Sequence, residues 1–324
     1  MDSLDIAIVG AGPTGLATAI EAHRRGLTYA VFDKGCITNS ILGFPSHMVF
    51  FTTPELLEIG GMPLISEREK PSRNEALKYY RKVVQAFGLK VKQFEEVQKI
   101  EQTAVHRFRI QTSVGEYAAN NVVLATGYYD NPNTLGIPGE DLPHVSHYYT
   151  EPYSFFDRDV VIVGGKNSAA EAALDLFRGG ARVTLVHRGA EMGSTLKYWV
   201  RPDIENRFKA GEVKACFNSL VTKITPSSVE IVQAGTSHTL RAQQVFLLTG
   251  YHSSTTFFEQ LGVQWDRDTL RPQHNPETFE TNVPGVYLAG SIIGGRFNAE
   301  VFIENGRFHG ETVVKAIAGH DRKG

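Results

Sequence analysis

The sequence predicts an α/β chain of two three-layer, parallel-sheet units, the second inserted into the first. Three observations support this. An apolar run ending in glycines, a helical stretch and a second apolar run open the chain; the same grammar returns about 150 residues later; and the tail carries strand and helix signals but no third glycine-rich turn. At 324 residues the chain has room for two domains, each with its own core.

In order, the first unit reads as a strand over 5–9, a helix over 17–25, then Gly26 and a strand over 29–32. A polar, turn-rich stretch over 44–73 precedes a helix over 74–86, short strands near 91–94 and 108–111, and an apolar run over 122–125. The second unit reads as a strand over 159–163, a helix over 169–178 and a strand over 182–186, followed by strand-like pieces over 221–224, 229–232 and 245–248. A run over 286–289 and a final helix, expected to carry Glu300, Glu304 and His309, end the chain. The simplest topology lets this tail complete the first unit. The chain then crosses between units in the turn-rich segments 131–138 and 250–254.

Composition excludes several classes. A formal net charge of -2 offers no basic field for a polyanion, so nucleic acid is not an expected partner. No run approaches the roughly 18 apolar residues that span a bilayer, and no basic leader precedes the first strand, so the expected location is the cytoplasm. The two cysteines, Cys36 and Cys216, lie far apart, leaving neither a CxxC redox pair nor a thiolate metal cluster; no metal site is expected.

The first turn, Gly10-Ala11-Gly12-Pro13-Thr14-Gly15, sits between strand and helix, and Asp33 followed by Lys34 ends the next strand. Glycines here allow a tight turn and close approach of backbone N–H groups to a pyrophosphate, the helix N-terminus favours its charge, and Asp33 can bind ribose hydroxyls. The second turn, Gly164-Gly165-Lys166-Asn167-Ser168-Ala169, keeps the first glycine and a small residue at the third site, with Lys166 at the second. Its next strand ends in His187-Arg188 instead of an acid, which favours a 2′-phosphate and hence NADPH over NADH; Lys166, Lys197 or Arg201 can add charge. Both units are thus expected to be Rossmann-like dinucleotide-binding domains.

The strand ends Ala125-Thr126-Gly127 and Thr249-Gly250-Tyr251, with Gly285-Val286-Tyr287-Leu288-Ala289-Gly290, resemble the closing motifs of flavoprotein disulfide reductases, with Ser291 where an acid usually meets the flavin's ribityl chain. The plan resembles low-molecular-weight thioredoxin reductases over nearly the whole chain, except that Tyr149-Thr150-Glu151-Pro152 stands where their CxxC lies. Asn39-Ser40-Ile41, Leu57-Glu58-Ile59-Gly60, Lys197-Tyr198-Trp199, the run from Arg201 to Asn206 and the run from Ile303 to Gly310 are similar to the bacillithiol-disulfide reductase family, whose second turn also reads Gly-Gly-Lys-Asn-Ser-Ala. The resemblance implies an FAD domain over 1–128 and 250–324, an inserted NAD(P)H domain over 129–249, and an NADPH-dependent reductase acting on a small disulfide or a small redox protein, as a homodimer or higher homo-oligomer.

It further implies FAD contacts at Gly10, Gly12, Pro13, Thr14, Gly15, Asp33, Lys34, Ser40, His47, Val97, Ala125, Thr126, Gly127, Gly290, Ser291 and Asn298. NADPH contacts are implied at Gly164, Lys166, Asn167, Ser168, Ala169, His187, Arg188, Lys197 and Gly250. Ser40, His47 and Asn298 can equally satisfy loop backbone groups. Members of that family are associated with a cysteine at the position of Thr14, so the thiol nucleophile is missing here. Candidate catalytic groups are Thr14, His147, Glu300 and His309, of which Glu300 or His309 can serve as a proton donor. Two other acceptors stay open: a ferredoxin or flavodoxin, and, on the partial match of Ile137-Pro138-Gly139 to Asn167-Ser168 with flavin monooxygenases, oxygen.

Overall fold

The computed structural model describes residues 3–104 and 107–320. The chain enters on β1 (Ser3–Val9), α1 (Pro13–Arg24), β2 (Tyr29–Phe32), α2 (Asn39–Leu42) and α3 (Arg73–Phe87), then β3 (Val91–Lys92), β4 (Val97–Thr103), β5 (Arg107–Thr112) and β6 (Glu116–Leu124). Next come β7 (Val145–Ser146), β8 (Asp159–Val163), α4 (Asn167–Arg178), β9 (Arg182–Val186), α5 (Arg201–Lys209), β10 (Lys214–Cys216), β11 (Ser219–Thr225), β12 (Ser228–Gln233), β13 (Thr236–Arg241) and β14 (Gln244–Leu247). The tail holds α6 (Thr256–Leu261), β15 (Val286–Leu288), α7 (Ile303–Gly306) and α8 (His309–His320).

Two compact units result, one of residues 1–43, 48–131 and 251–324, the other of 44–47 and 132–250. In the first, β3-β2-β1-β6 run parallel, β5 and β4 continue the sheet antiparallel, and β15 pairs in parallel with the C-terminal half of β6. Ile6 and Ile8 alternate with Ala7 and Val9 along β1 and all are buried, which is why the strand reads as an unbroken apolar run: both sheet faces are covered. Helix α3 starts one residue earlier than the periodicity suggests because Ser72 caps it: its hydroxyl accepts from Glu75 N, while the Glu75 carboxylate accepts from Ser72 N.

The second unit has a parallel sheet, β10-β9-β8-β14-β7, and an antiparallel β11-β12-β13 meander. Its core joins Ile162, Ala173, Leu176, Leu185 and Ile204. One sequence expectation is overturned. The tail is not a single helix bearing Glu300, Glu304 and His309: Glu300 lies in the loop before α7, Glu304 on α7, and His309 opens α8. Close approach at two glycines divides it; a Cβ on Gly306 would meet Thr14 Oγ1 at 3.2 Å and one on Gly310 the backbone of Thr18 at 2.6 Å.

Candidate functional site

In the first unit the glycine turn is fixed from both sides. Gly10 has φ +109°, and a Cβ there would lie 2.4 Å from the Ala125 carbonyl oxygen; one on Gly15 would lie 1.9 Å from the Gly10 carbonyl oxygen. Gly12 differs, since a Cβ built on it meets nothing within 4 Å. The turn is therefore packed tightly beneath Gly10 and Gly15 and open above Gly12, where the first residues of α1 leave their N–H groups without intrahelical partners. The geometry of that opening suits an anion.

Asp33 directly follows β2, beside the turn. Its carboxylate accepts from Ala11 N at 2.7 Å and Gly35 N at 2.8 Å, which fixes the acid while leaving lone pairs for ribose hydroxyls. Burial, only partly offset by those two donors, raises its pKa. Lys34 pairs with Asp130 at 3.1 Å, Ser40 lies on α2, and Val97, buried, opens β4. His47 falls in the segment 44–47 that packs with the second unit, where its ring meets Tyr153 edge-on.

The strand ends converge. Ala125-Thr126-Gly127 leaves β6, Gly290-Ser291 leaves β15, and a Cβ on Gly127 would lie 3.6 Å from Ser291 Oγ. Thr14, at the start of α1, stands against Gly290: a Cβ there would meet Thr14 Oγ1 at 2.9 Å. Gly290 N donates to His309 Nδ1 at 3.1 Å. Burial, with the nearby His274 adding to it, pushes His309 down to about 4, so the ring is neutral at pH 7 with its proton on Nε2. Asn298 Nδ2 donates to the Tyr251 carbonyl at 3.0 Å, and Glu300 pairs with Arg271 at 2.5 Å.

The second unit repeats the plan with different packing. A Cβ on Gly164 would lie 2.6 Å from the Leu248 carbonyl oxygen and 2.8 Å from Ala169 Cβ, which accounts for the small residue at 169. Gly165 is covered by the His187 ring, whose Cε1 lies 2.2 Å from a built Cβ. Lys166 precedes α4, and Asn167 Oδ1 accepts from Lys197 N at 2.8 Å, tying the loop 189–200 to the turn. Lys197 Nζ pairs with Glu171 at 2.7 Å. Arg201, offered by the sequence as an extra charge, instead holds the Gly193 carbonyl at 2.7 Å and Glu205 at 3.1 Å.

Burial, then the adjacent Arg188 charge, lowers the His187 pKa, so that of the two only exposed Arg188 is a dependable cation at pH 7. Lys166 and Ser168 are exposed on the turn, and Gly250, with φ +92°, follows β14. His147 lies 3.6 Å from Glu140, a buried carboxylate that also accepts from the backbone N–H groups of Leu135 and Gly136. That contact occupies His147 in supporting the 135–140 turn. Sequence reasoning passed over Glu140 and Gly193, whose roles come from packing and leave no motif. Burial raises the pKa of both Cys36 and Cys216, with Asp33 adding to the effect at Cys36.

A family profile described as pyridine nucleotide-disulphide oxidoreductase matches residues 7–290. The chain belongs to that family. This reductase is 45% identical over 313 residues to bacilliredoxin reductase Bdr of Bacillus subtilis, covering 96% of each chain. The solved bacillithiol disulfide reductase Bdr (YpdA) of Bacillus cereus matches with a TM-score of 0.95 at 41% identity, covering 98% of this chain and 100% of that one. The Staphylococcus aureus protein of the same name matches with a TM-score of 0.95 at 39% identity, covering 99% of both chains. The two-unit Rossmann-like α/β fold, the FAD and NADPH cofactors and the class of NADPH-dependent flavoprotein reductase follow. Among the described residues no helix is long and apolar enough to cross a membrane.

Proposed function

We propose that the chain uses NADPH to reduce a bacillithiol disulfide, free or carried on a small redox protein, with FAD in the first unit and NADPH in the second. The observation that carries the reading is the pair of strand–turn–helix sites, each in its own compact unit, in a family of pyridine nucleotide-disulphide oxidoreductases. The names of the Bacillus and Staphylococcus relatives support the acceptor.

In this reading Gly10, Gly12, Pro13, Thr14 and Gly15 form the turn that cradles the pyrophosphate of FAD, its backbone N–H groups facing the charge. Asp33 and Lys34 stand at the adenosine side, and Ala125, Thr126, Gly127, Gly290 and Ser291 at the flavin side, with Ser40, Val97 and Asn298 as further contacts; His47, expected from the sequence to join them, lies in the second unit. Gly164, Lys166, Asn167, Ser168 and Ala169 hold the pyrophosphate of NADPH. Arg188 neutralises its 2′-phosphate, with His187, Lys197 and Gly250 bordering the site. Bound there, FAD would supply two-electron chemistry between the nicotinamide and the disulfide, for an overall balance in which NADPH, a proton and one disulfide give NADP⁺ and two thiols.

Position 14 is Thr, and its hydroxyl sits against Gly290 and Gly306. The two thiols in the chain are held protonated by burial, which disfavours a thiolate nucleophile. Electrons thus reach the substrate without a protein thiol. A Cys36→Ser, Cys216→Ser double variant is expected to keep NADPH-driven disulfide turnover within about twofold of the parent. A loss beyond roughly tenfold at unchanged FAD content would assign the step to a cysteine. The same reading has the enzyme acting as a cytoplasmic homodimer or higher homo-oligomer, the assembly being measurable by light scattering.

A further inference from the structure

The tail of the first unit is built around close glycine contacts. Gly306 brings α7 against Thr14, and Gly310 brings the first turn of α8 against the backbone of Thr18 on α1. A side chain at Gly310 would push the tail off the first helix, and one at Gly306 would force Thr14 to yield by a few tenths of an ångström. This approach delivers His309, the first residue of α8, to the Gly290 amide, which donates to its Nδ1 at 3.1 Å. The ring is fixed on its face as well: it stacks on Phe279 at 4.3 Å and 22°, and Phe279 stacks on His274 at 5.8 Å and 21°. Gly290 itself has φ +81° and carries no side chain to steady it, so the His309 contact is what holds its amide. The next residue is Ser291, whose hydroxyl lies beside Gly127.

We infer that His309 is a positioning residue for FAD: by accepting from Gly290 N it sets the Gly290–Ser291 turn in the orientation that meets the flavin end of the cofactor. The inference rests on the reading of the first unit as the FAD site. The contact assigns Nδ1 of His309 as an acceptor and leaves the ring proton on Nε2.

Two substitutions separate the hydrogen bond from the stack. His309→Phe keeps a ring on Phe279 and removes the acceptor; His309→Asn gives up the stack and retains an oxygen near the place of Nδ1. Titrating apoprotein with FAD is expected to show roughly tenfold weaker binding for H309F, with a shifted flavin midpoint potential, and recovery to within about threefold of the parent for H309N. H309F binding FAD with parental affinity and potential, or H309N as impaired as H309F, would overturn the inference. If H309F does not fold, the imidazole ¹⁵N shifts of the parent decide: an unprotonated Nδ1 at His309 is expected, and a protonated Nδ1 would refute the contact. A parent protein that takes up no FAD would overturn the cofactor reading and this inference together. Normal uptake in both parent and H309F would overturn the inference alone.

Discussion

Gly15→Ala yields a destabilised protein that does not retain FAD, whereas Gly12→Ala yields a stable protein that does not retain FAD. The two glycines lie three positions apart in one turn and do different jobs. A Cβ on Gly15 would sit 1.9 Å from the Gly10 carbonyl oxygen, backbone that cannot yield without moving β1 or α1. Overpacking of this kind costs about 1–3 kcal/mol, and the displaced turn loses the N–H geometry that holds the pyrophosphate. Gly12 has φ -70° and ψ 174°, a conformation alanine adopts freely, and its Cβ meets nothing within 4 Å. The Gly12→Ala substitution leaves apoprotein stability within about 1 kcal/mol of the parent, or slightly above it through a less flexible unfolded chain. The added methyl group occupies the room left for the pyrophosphate, so FAD affinity falls by roughly 100-fold or more, the scale of losing two charge-assisted hydrogen bonds. Thermal unfolding of the apoproteins, with FAD titration alongside, checks both halves. A Gly12→Ala protein that binds FAD as the parent does would remove the assignment of that opening to a phosphate.

Arg188→Ala is expected to raise the KM for NADPH by about 10–100-fold while changing that for NADH by less than about threefold. The asymmetry follows from the second unit. No acid ends β9 to accept a 2′-hydroxyl, and His187, next to Arg188, is kept neutral by burial and lies over Gly165, where it cannot supply charge. Arg188 is exposed and, among the described residues, lacks the ties that engage Arg201 and Lys197, so its loss falls on the phosphate that distinguishes the two nucleotides. Steady-state kinetics with both nucleotides reads the ratio directly. Equal losses for NADPH and NADH would place the 2′-phosphate elsewhere.

The parts of this architecture that sequence alone made legible are those where one residue type answers one local demand. Gly10, Gly15 and Gly164 had to be glycine because carbonyl oxygens lie within 1.9–2.6 Å of a built Cβ, and the apolar runs of β1, β8 and β9 follow from cover on both faces. What was missed lacks such a demand. Strand β4 buries Val97 and Ile100 with exposed Gln98 and Lys99 between them, because a bulge between Val97 and Lys99 breaks the alternation. Strand β13 is nearly all exposed and polar, and α5 buries only Ile204, so neither carries an apolar period. The break between α7 and α8 comes from contact with α1, which lies almost 300 residues upstream. Its consequences, Glu300 in a loop and His309 on the Gly290 amide, therefore had no local sign.

The central claim is that electrons pass from NADPH through the bound flavin to a disulfide in a chain with no thiol placed to relay them. Its most direct test is anaerobic: reduce the purified flavoprotein with one equivalent of NADPH, add bacillithiol disulfide, and in parallel oxidised ferredoxin or flavodoxin, and follow the flavin absorbance. The account predicts stoichiometric reoxidation by the disulfide, with two thiols released per flavin. Reoxidation by the protein carrier alone, with the disulfide inert, would contradict it.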